Sequence, residues 1–400
     1  MKRLLVLVLV LVAAVAAFGQ DGDTQSESRP TLVERYIENF RTANLETKEA
    51  ILAASESEDL EEMAPLYAEA LSFLIDNAGR LSRNTVLQDM SEFVVEKLTE
   101  AEYAPAAESL WRLFMSREES LARVSILEAI AVVGEGNDQV AVFLNQWISD
   151  RNSLRAGGEE VDRQVLYQAV VTAGALGNPS SFPILLETRL LQISEAISNA
   201  AEDAMQSLDG NLLELAAEAL EERDPGDKAE AFTYYTESDL FNEEEQAVLA
   251  QAALNQVLRS NTSDPTVAAE LRQMRYRAAN VVREAALGDA TRAMIRHFNQ
   301  TVLEYDRGVT PKSRVLEAVA GLGAMDSDEA AVRLTDYLEL LNTYTELDRP
   351  YDTQIVLAVI RNLQRLGRPG SYNALFYCTL LDYPTRVKEA AQEAMRAVSR

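Results

Sequence analysis

The chain has 400 residues and a formal net charge of −27. A field of that sign repels nucleic acid and anionic lipid surfaces, because phosphate binding needs clustered Lys and Arg, so no nucleic-acid partner is expected. The length also exceeds what one compact core holds, about 250–300 residues, so several domains or an open repeat array are called for.

Lys2 and Arg3 form a basic start, and Leu4 to Val15 form an uncharged apolar run. The run falls short of the ~20 residues needed to cross a bilayer, so it reads as a secretory signal and not as an anchor. Ala17-Phe18-Gly19 has small residues at the two positions a signal peptidase inspects, which predicts a signal peptide over 1–19 and a cut before Gln20, with Ala14-Val15-Ala16 as the alternative. Cleavage would remove Lys2 and Arg3 and no acid, taking the charge from −27 to −29. Cys378 is the only cysteine, so neither an intrachain disulfide nor a lipid-bearing cysteine near the cut is available. An exported chain of this size without disulfides points to a bacterial envelope, periplasmic or extracellular.

Residues 20–30 are polar and predict a flexible leader. From Thr31 to the end, apolar residues recur at helical spacing, as in Val124, Leu127, Ile130, Ala131 and Val133, with no persistent alternating pattern. Asn242 followed by Glu243, Glu244 and Glu245 is a capping box, and Asp264-Pro265 is a cap with proline in the first turn. Gly134, Gly177, Gly288, Gly323 and Gly367 each close a helical pattern and are expected as left-handed caps. Their spacings, 43 from Gly134 to Gly177, 35 from Gly288 to Gly323 and 44 from Gly323 to Gly367, fall among the periods of helical solenoids. The 111 residues from Gly177 to Gly288 would hold two or three units that lack the glycine.

The stretch Leu176-Gly177-Asn178-Pro179-Ser180-Ser181-Phe182-Pro183-Ile184-Leu185-Leu186 resembles the junction of HEAT repeats, and Leu366-Gly367-Arg368-Pro369 repeats it. Val387-Lys388-Glu389-Ala390-Ala391-Gln392-Glu393-Ala394-Met395 resembles the second helix of that family. Ile197-Ser198-Asn199-Ala200-Ala201-Glu202-Asp203-Ala204-Met205 aligns with it, 190 positions earlier. The resemblance implies an all-α fold: an α-α superhelix of the HEAT type, a solenoid of antiparallel helix pairs over 31–400. It is clear from about Glu118 onward and degenerate before that. The tetratricopeptide array is the nearest competitor, but its tryptophan, glycine and tyrosine spacing is missing.

A seam is expected at 209–241, where Asp209-Gly210-Asn211 and Asp224-Pro225-Gly226-Asp227 flank one short helix and Phe232 to Phe241 is aromatic and poorly periodic. At the far end, Ala390, Ala391 and Ala394 predict a close helix contact. Lys388, Glu389, Gln392, Glu393 and Arg396 predict a polar cap.

Few residues suggest chemistry. His297, the only histidine, has no motif around it and is expected near a helix surface; Cys378 lies in an apolar helix, where a free cysteine packs as a small hydrophobe. With 64 acids, close carboxylate pairs are inevitable by chance, and Gly134-Glu135-Gly136-Asn137 is no phosphate loop. No metal or cofactor is implied. Trp111 and Trp147 read as core. Tyr234 and Tyr235, beside polar Thr233, Thr236 and Glu237, read as partner-binding aromatics, with Tyr372 and Tyr383 as second choices. The expected function is therefore a non-catalytic exported scaffold that binds a protein partner along its solenoid face. The alternative is a cell-wall enzyme, or its helical accessory segment, that holds peptidoglycan through carboxylates.

Overall fold

Side-chain caps open most helices in the computed structural model, which describes residues 30–260 and 262–399. The expected signal peptide and nearly all of the leader lie outside the described residues. Asn242 accepts from the amides of Glu244 and Glu245 while Glu245 bonds back to the Asn242 amide, completing the capping box; Asp264 caps Thr266 and Val267 with Pro265 in the first turn. Elsewhere Asn44, Asn137, Asp162, Asn211 and Asp352 do the same work. Among the described residues there are 21 α-helices and no strand, and the chain is an all-α solenoid.

The first stretch comprises α1 (Leu32–Thr42), α2 (Leu45–Ser55), α3 (Leu60–Asp76), the one-turn α4 (Ala78–Leu81), α5 (Thr85–Glu100), α6 (Ala107–Ser116), α7 (Ser120–Val133), α8 (Asp138–Ala156), α9 (Arg163–Ala175), α10 (Phe182–Leu190) and α11 (Glu195–Gln206). The second comprises α12 (Leu212–Glu222), α13 (Pro225–Glu237), α14 (Glu243–Val257), α15 (Pro265–Glu284), α16 (Thr291–Asp306), α17 (Lys312–Ala324), α18 (Asp328–Glu346), α19 (Thr353–Leu366), α20 (Tyr372–Leu380) and α21 (Thr385–Val398). Leaving α4 aside, each stretch is ten helices forming five pairs. The first members of the pairs make row A: α1, α3, α6, α8, α10, then α12, α14, α16, α18, α20. The second members make row B: α2, α5, α7, α9, α11, then α13, α15, α17, α19, α21. Every helix packs on its pair-mate and on the next helix of its own row, with one exception: α11 has no comparable packing against α13.

These two stretches are the same unit used twice. Lys48 donates to the carbonyls of Phe40 and Arg41, and Lys228, 180 positions later, donates to those of Leu220 and Glu221. Phe114 meets Trp147 edge-on with centroids 5.4 Å apart, and Phe298 meets Tyr337 edge-on at 5.2 Å. Asn152 is buried and donates to Thr188 Oγ1 at 2.9 Å; at an offset of 190, Asn342 is buried, donates to the Ala374 carbonyl at 3.0 Å and accepts from Cys378 Sγ at 2.9 Å. The junctions also match: three-residue 3₁₀ turns at Pro179–Ser181 and Pro369–Ser371 each lead into a nine-residue helix. The two aligned sequence windows are the cores of α11 and α21, with Ala201, Ala204, Ala391 and Ala394 all buried.

The interruption of row B falls at Ser207–Asn211, on the N-terminal edge of the seam expected at 209–241. Here the Asp209 amide donates to the Gly177 carbonyl at 2.7 Å, and Glu202 of α11 pairs with Arg189 of α10 at 3.1 Å while accepting from the Tyr234 hydroxyl of α13 at 2.8 Å. Of the stretch Phe232 to Phe241, expected to be poorly periodic, Phe232 to Glu237 is the regular end of α13, and residues 238–241 form a turn outside any helix.

Of the five closing glycines only Gly177 and Gly367 are left-handed, at φ of 68° and 65°. Gly134 ends its helix at a negative φ, Gly288 starts a 3₁₀ turn, and Gly323 lies inside α17. Gly323 serves close approach instead: a Cβ there would overlap the Asn362 side chain of α19. The left-handed residues near those last two ends are Ala286 and Asp326.

Candidate functional site

A helix of row B buries the residues that meet row A and its row neighbours, leaving one stripe outward. On α5 the stripe is Glu92, Glu96 and Glu100; on α7 it is Leu121, Ser125, Glu128 and Val132; on α9 it is Gln164, Tyr167, Val171 and Ala175; on α11 it is Glu195, Asn199, Asp203 and Gln206. The spacings of three and four residues keep each set on one helix face. Leu121, Val132, Tyr167 and Val171 are all large, apolar and exposed. They give the outward stripes of two adjacent helices an apolar strip, interrupted on α7 by Ser125 and Glu128, with a row of glutamates on one side and the polar face of α11 on the other.

Between α5 and α7 the strip deepens into a groove of about 520 Å³, floored by Val95, Ile126 and Ala129 and rimmed by Glu92, Glu96, Glu100 and Glu128. Arg117, from the turn between α6 and α7, lines it and is only 7% exposed. Its Nε lies 3.2 Å from Glu119 Oε2 without hydrogen-bond alignment, and its Nη1 has no partner. A buried guanidinium with unmet donors can donate to a carboxylate or a carbonyl presented from the groove.

A second cleft, about 770 Å³, opens at the seam, between α8, α10 and α12 of row A and α13 of row B. Its wall carries Glu187, Glu222, Arg223, Asp227 and Glu230. Burial pushes the Glu187 carboxyl above the usual carboxylate range, partly offset by the nearby Arg223 charge and a hydrogen bond from Asn152.

The four tyrosines chosen from sequence are not gathered anywhere. Tyr234 is buried under the Arg189 guanidinium, whose centre stands 4.9 Å from the ring, and its hydroxyl is engaged by Glu202. Tyr235 is fully buried edge-on against Phe241, and Tyr383 is buried edge-on against Tyr351. Buried in this way, these three present no ring to a partner, and their reading as partner-binding aromatics is corrected. The polar neighbours that suggested it point elsewhere: Thr233 and Thr236 donate to the carbonyls of Ala229 and Phe232, one turn back on their own helix. Tyr372 alone is exposed, stacked on Phe376.

His297 is also corrected, from a helix surface to the core. It stands edge-on to Tyr276, and burial, reinforced by the Arg275 and Arg314 charges, pushes its pKa down to about 3, so the ring is neutral. Cys378 packs as expected, fully buried, with burial pushing its thiol up to about 12. Trp111 and Trp147 are core, as read. No cluster of three or more His, Cys, Asp or Glu with metal-binding geometry occurs among the described residues, and no described helix is long and apolar enough to cross a membrane.

Sequence reasoning missed the strip. One signal was available: α7, Ser-Leu-Ala-Arg-Val-Ser-Ile-Leu-Glu-Ala-Ile-Ala-Val-Val, is apolar on nearly every side, which a helix with one face in water does not require. The chain matches no protein-family model, and no curated protein is similar to it.

Proposed function

We propose that the protein is a non-catalytic scaffold of the HEAT type, exported to a bacterial envelope, that holds a protein partner on the row B face of its first half. The apolar strip of Leu121, Val132, Tyr167 and Val171 carries this reading. Large exposed apolar patches mark contact sites, and aromatic anchors ringed by charge are the usual anatomy of a protein interface. The glutamates beside the strip and the charge of −27 favour a partner segment that combines apolar residues with Lys or Arg. Export rests on the basic and apolar N-terminus alone.

Binding of a synthetic amphipathic Leu/Lys helix, followed by fluorescence anisotropy, tests the proposal. Leu121→Glu combined with Tyr167→Glu adds negative charge, so an association driven by charge alone would tighten. One that needs the strip weakens, by about tenfold or more, equivalent to ~1.4 kcal/mol. The same pair of changes at Val332 and Leu340, on row A, should leave binding unchanged. Tighter binding by the first variant ends the proposal.

A further inference from the structure

The repeated unit shows what covers its own last pair. In the first half, Phe182 and Leu186 of α10 are fully buried, and α10 packs against α12 and α13, the opening pair of the second half. At the same positions of α20 the second half has Tyr372, 40% exposed, and Phe376, 46% exposed, followed by Tyr377 and by Leu380, which is 63% exposed. Among the described residues no further pair covers α20 and α21, and α21 turns a polar face outward. Helix α20 does not.

The pair equivalent to α12 and α13 is α1 and α2, as the two buried lysines establish. Facing α10 across the seam cleft are Ala219, Glu222, Arg223, Asp227 and Glu230. Their counterparts 180 positions earlier are Asn39, Thr42, Ala43, Thr47 and Ala50, uncharged and, apart from half-buried Ala43, exposed. On the other side of the contact, Glu187 of α10 becomes Tyr377 of α20. At these matched positions charge is absent from both ends: the seam carries charge on both sides, whereas the equivalent outer positions are aromatic on α20 and uncharged on α1 and α2, with Arg35 and Glu46 one turn away from Asn39 and Ala50. In a chain of net charge −27, a neutral end face is where two copies can meet without repulsion.

From this pairing we infer that α20 is the docking surface for a second copy of the chain, whose α1 and α2 take the place that α12 and α13 hold at the seam. The contact is head-to-tail, between different surfaces, so it propagates into open strings or closes into rings.

Sedimentation velocity of the purified chain over a concentration series tests this, with circular dichroism as the folding check on variants at exposed positions. The wild type should show a sedimentation coefficient that rises with concentration. Phe376→Glu blocks one end and Ala50→Glu the other, so each variant alone should stay monomeric. Mixed, they retain one good end of each kind and should form dimers and nothing larger. A wild type that stays monomeric throughout overturns the inference. So does self-association by Ala50→Glu alone, which would mean that α20 faces α20 or another surface, and so does a mixture that fails to pair.

Discussion

The outward stripe of α9 and that of its counterpart α19 differ where the inward residues agree. Inside, Val165, Leu166, Ala169 and Val170 are matched by Ile355, Val356, Val359 and Ile360, all buried. Outside, Tyr167, Val171 and Ala175 face Leu357, Arg361 and Arg365 at the equivalent positions. On α7 and α17, aligned through Glu128-Ala129-Ile130-Ala131 and Glu317-Ala318-Val319-Ala320, exposed Val132 becomes buried Gly321, pressed against Met294. The same packing solution thus carries an apolar strip in one half and arginines in the other. A row of helices is specified by what it buries, leaving its outer face free to acquire a separate role.

The largest difference between the halves should appear in acid. His297 stands where the first half has Leu113, both buried beside the matched phenylalanines 298 and 114. Above pH ~6.5 the imidazole is neutral in folded and unfolded chains alike and no proton is linked to folding. Below that, the unfolded chain takes up a proton that the folded core, with its pKa of about 3, refuses. Stability of the second half should fall by ~1.4 kcal/mol per pH unit between about pH 6.5 and 5, above the range in which ordinary carboxylates titrate. Trp111 and Trp147 both report on the first half, so urea midpoints by tryptophan fluorescence should move less with pH than those by circular dichroism. His297→Leu should flatten the second curve. An unchanged slope in that variant would assign the acid sensitivity to other groups.

Next in size are the paired alanines. Ala201→Leu and Ala391→Leu each overpack a fully buried helix contact and should cost ~1–3 kcal/mol. Helix α21 has a row neighbour on one side only, so Ala391→Leu should loosen the last pair locally, with protease nicking beginning near Tyr383. Ala201→Leu, beside the row B interruption, should instead expose the Ser207–Asn211 link first. Identical cleavage patterns for the two variants would show that the halves do not respond separately.

The smallest effect on stability should come from exchanging the outer faces. Val171→Arg, which copies α19 onto α9, changes an exposed side chain and should alter the unfolding midpoint by no more than about 0.5 kcal/mol, while weakening the amphipathic helix bound to the strip. Should stability drop well beyond that, Val171 is holding helices together and the strip is not free surface.

Much of the fold was legible because helix boundaries are chemical events. Asn242 with Glu245, Asp264 with Pro265, and the Gly-x-Pro junctions at 177 and 367 carry their geometry in local side chains and backbone preference. Gly134, Gly288 and Gly323 misled, since a glycine after a helical run can also serve a close approach, as at Gly323, while an aspartate or alanine takes the left-handed position instead. Of the internal repetition the windows at 197–205 and 387–395 and the junctions at 177 and 367 were visible. The other matches, Asn152 with Asn342 or Lys48 with Lys228, are single residues that acquire meaning only through the atoms they touch. The binding strip was harder still, because which side of a fourteen-residue helix faces water depends on where its neighbours stand.

The two buried lysines show how the first helix of each half closes without a glycine. At the ends of α1 and α12, an ammonium reaching back from the next helix satisfies the last carbonyls, so the chain can leave in an extended conformation and needs no left-handed residue there. A glycine closes a helix through its backbone, and no reagent can undo that. A lysine closes it through an amine, and acylation would remove the charge that does the closing. Both amines are buried, so the opening pair of each half is fastened by a group that a reagent reaches only when the pair opens, whereas the junctions at 177 and 367 hold no such group.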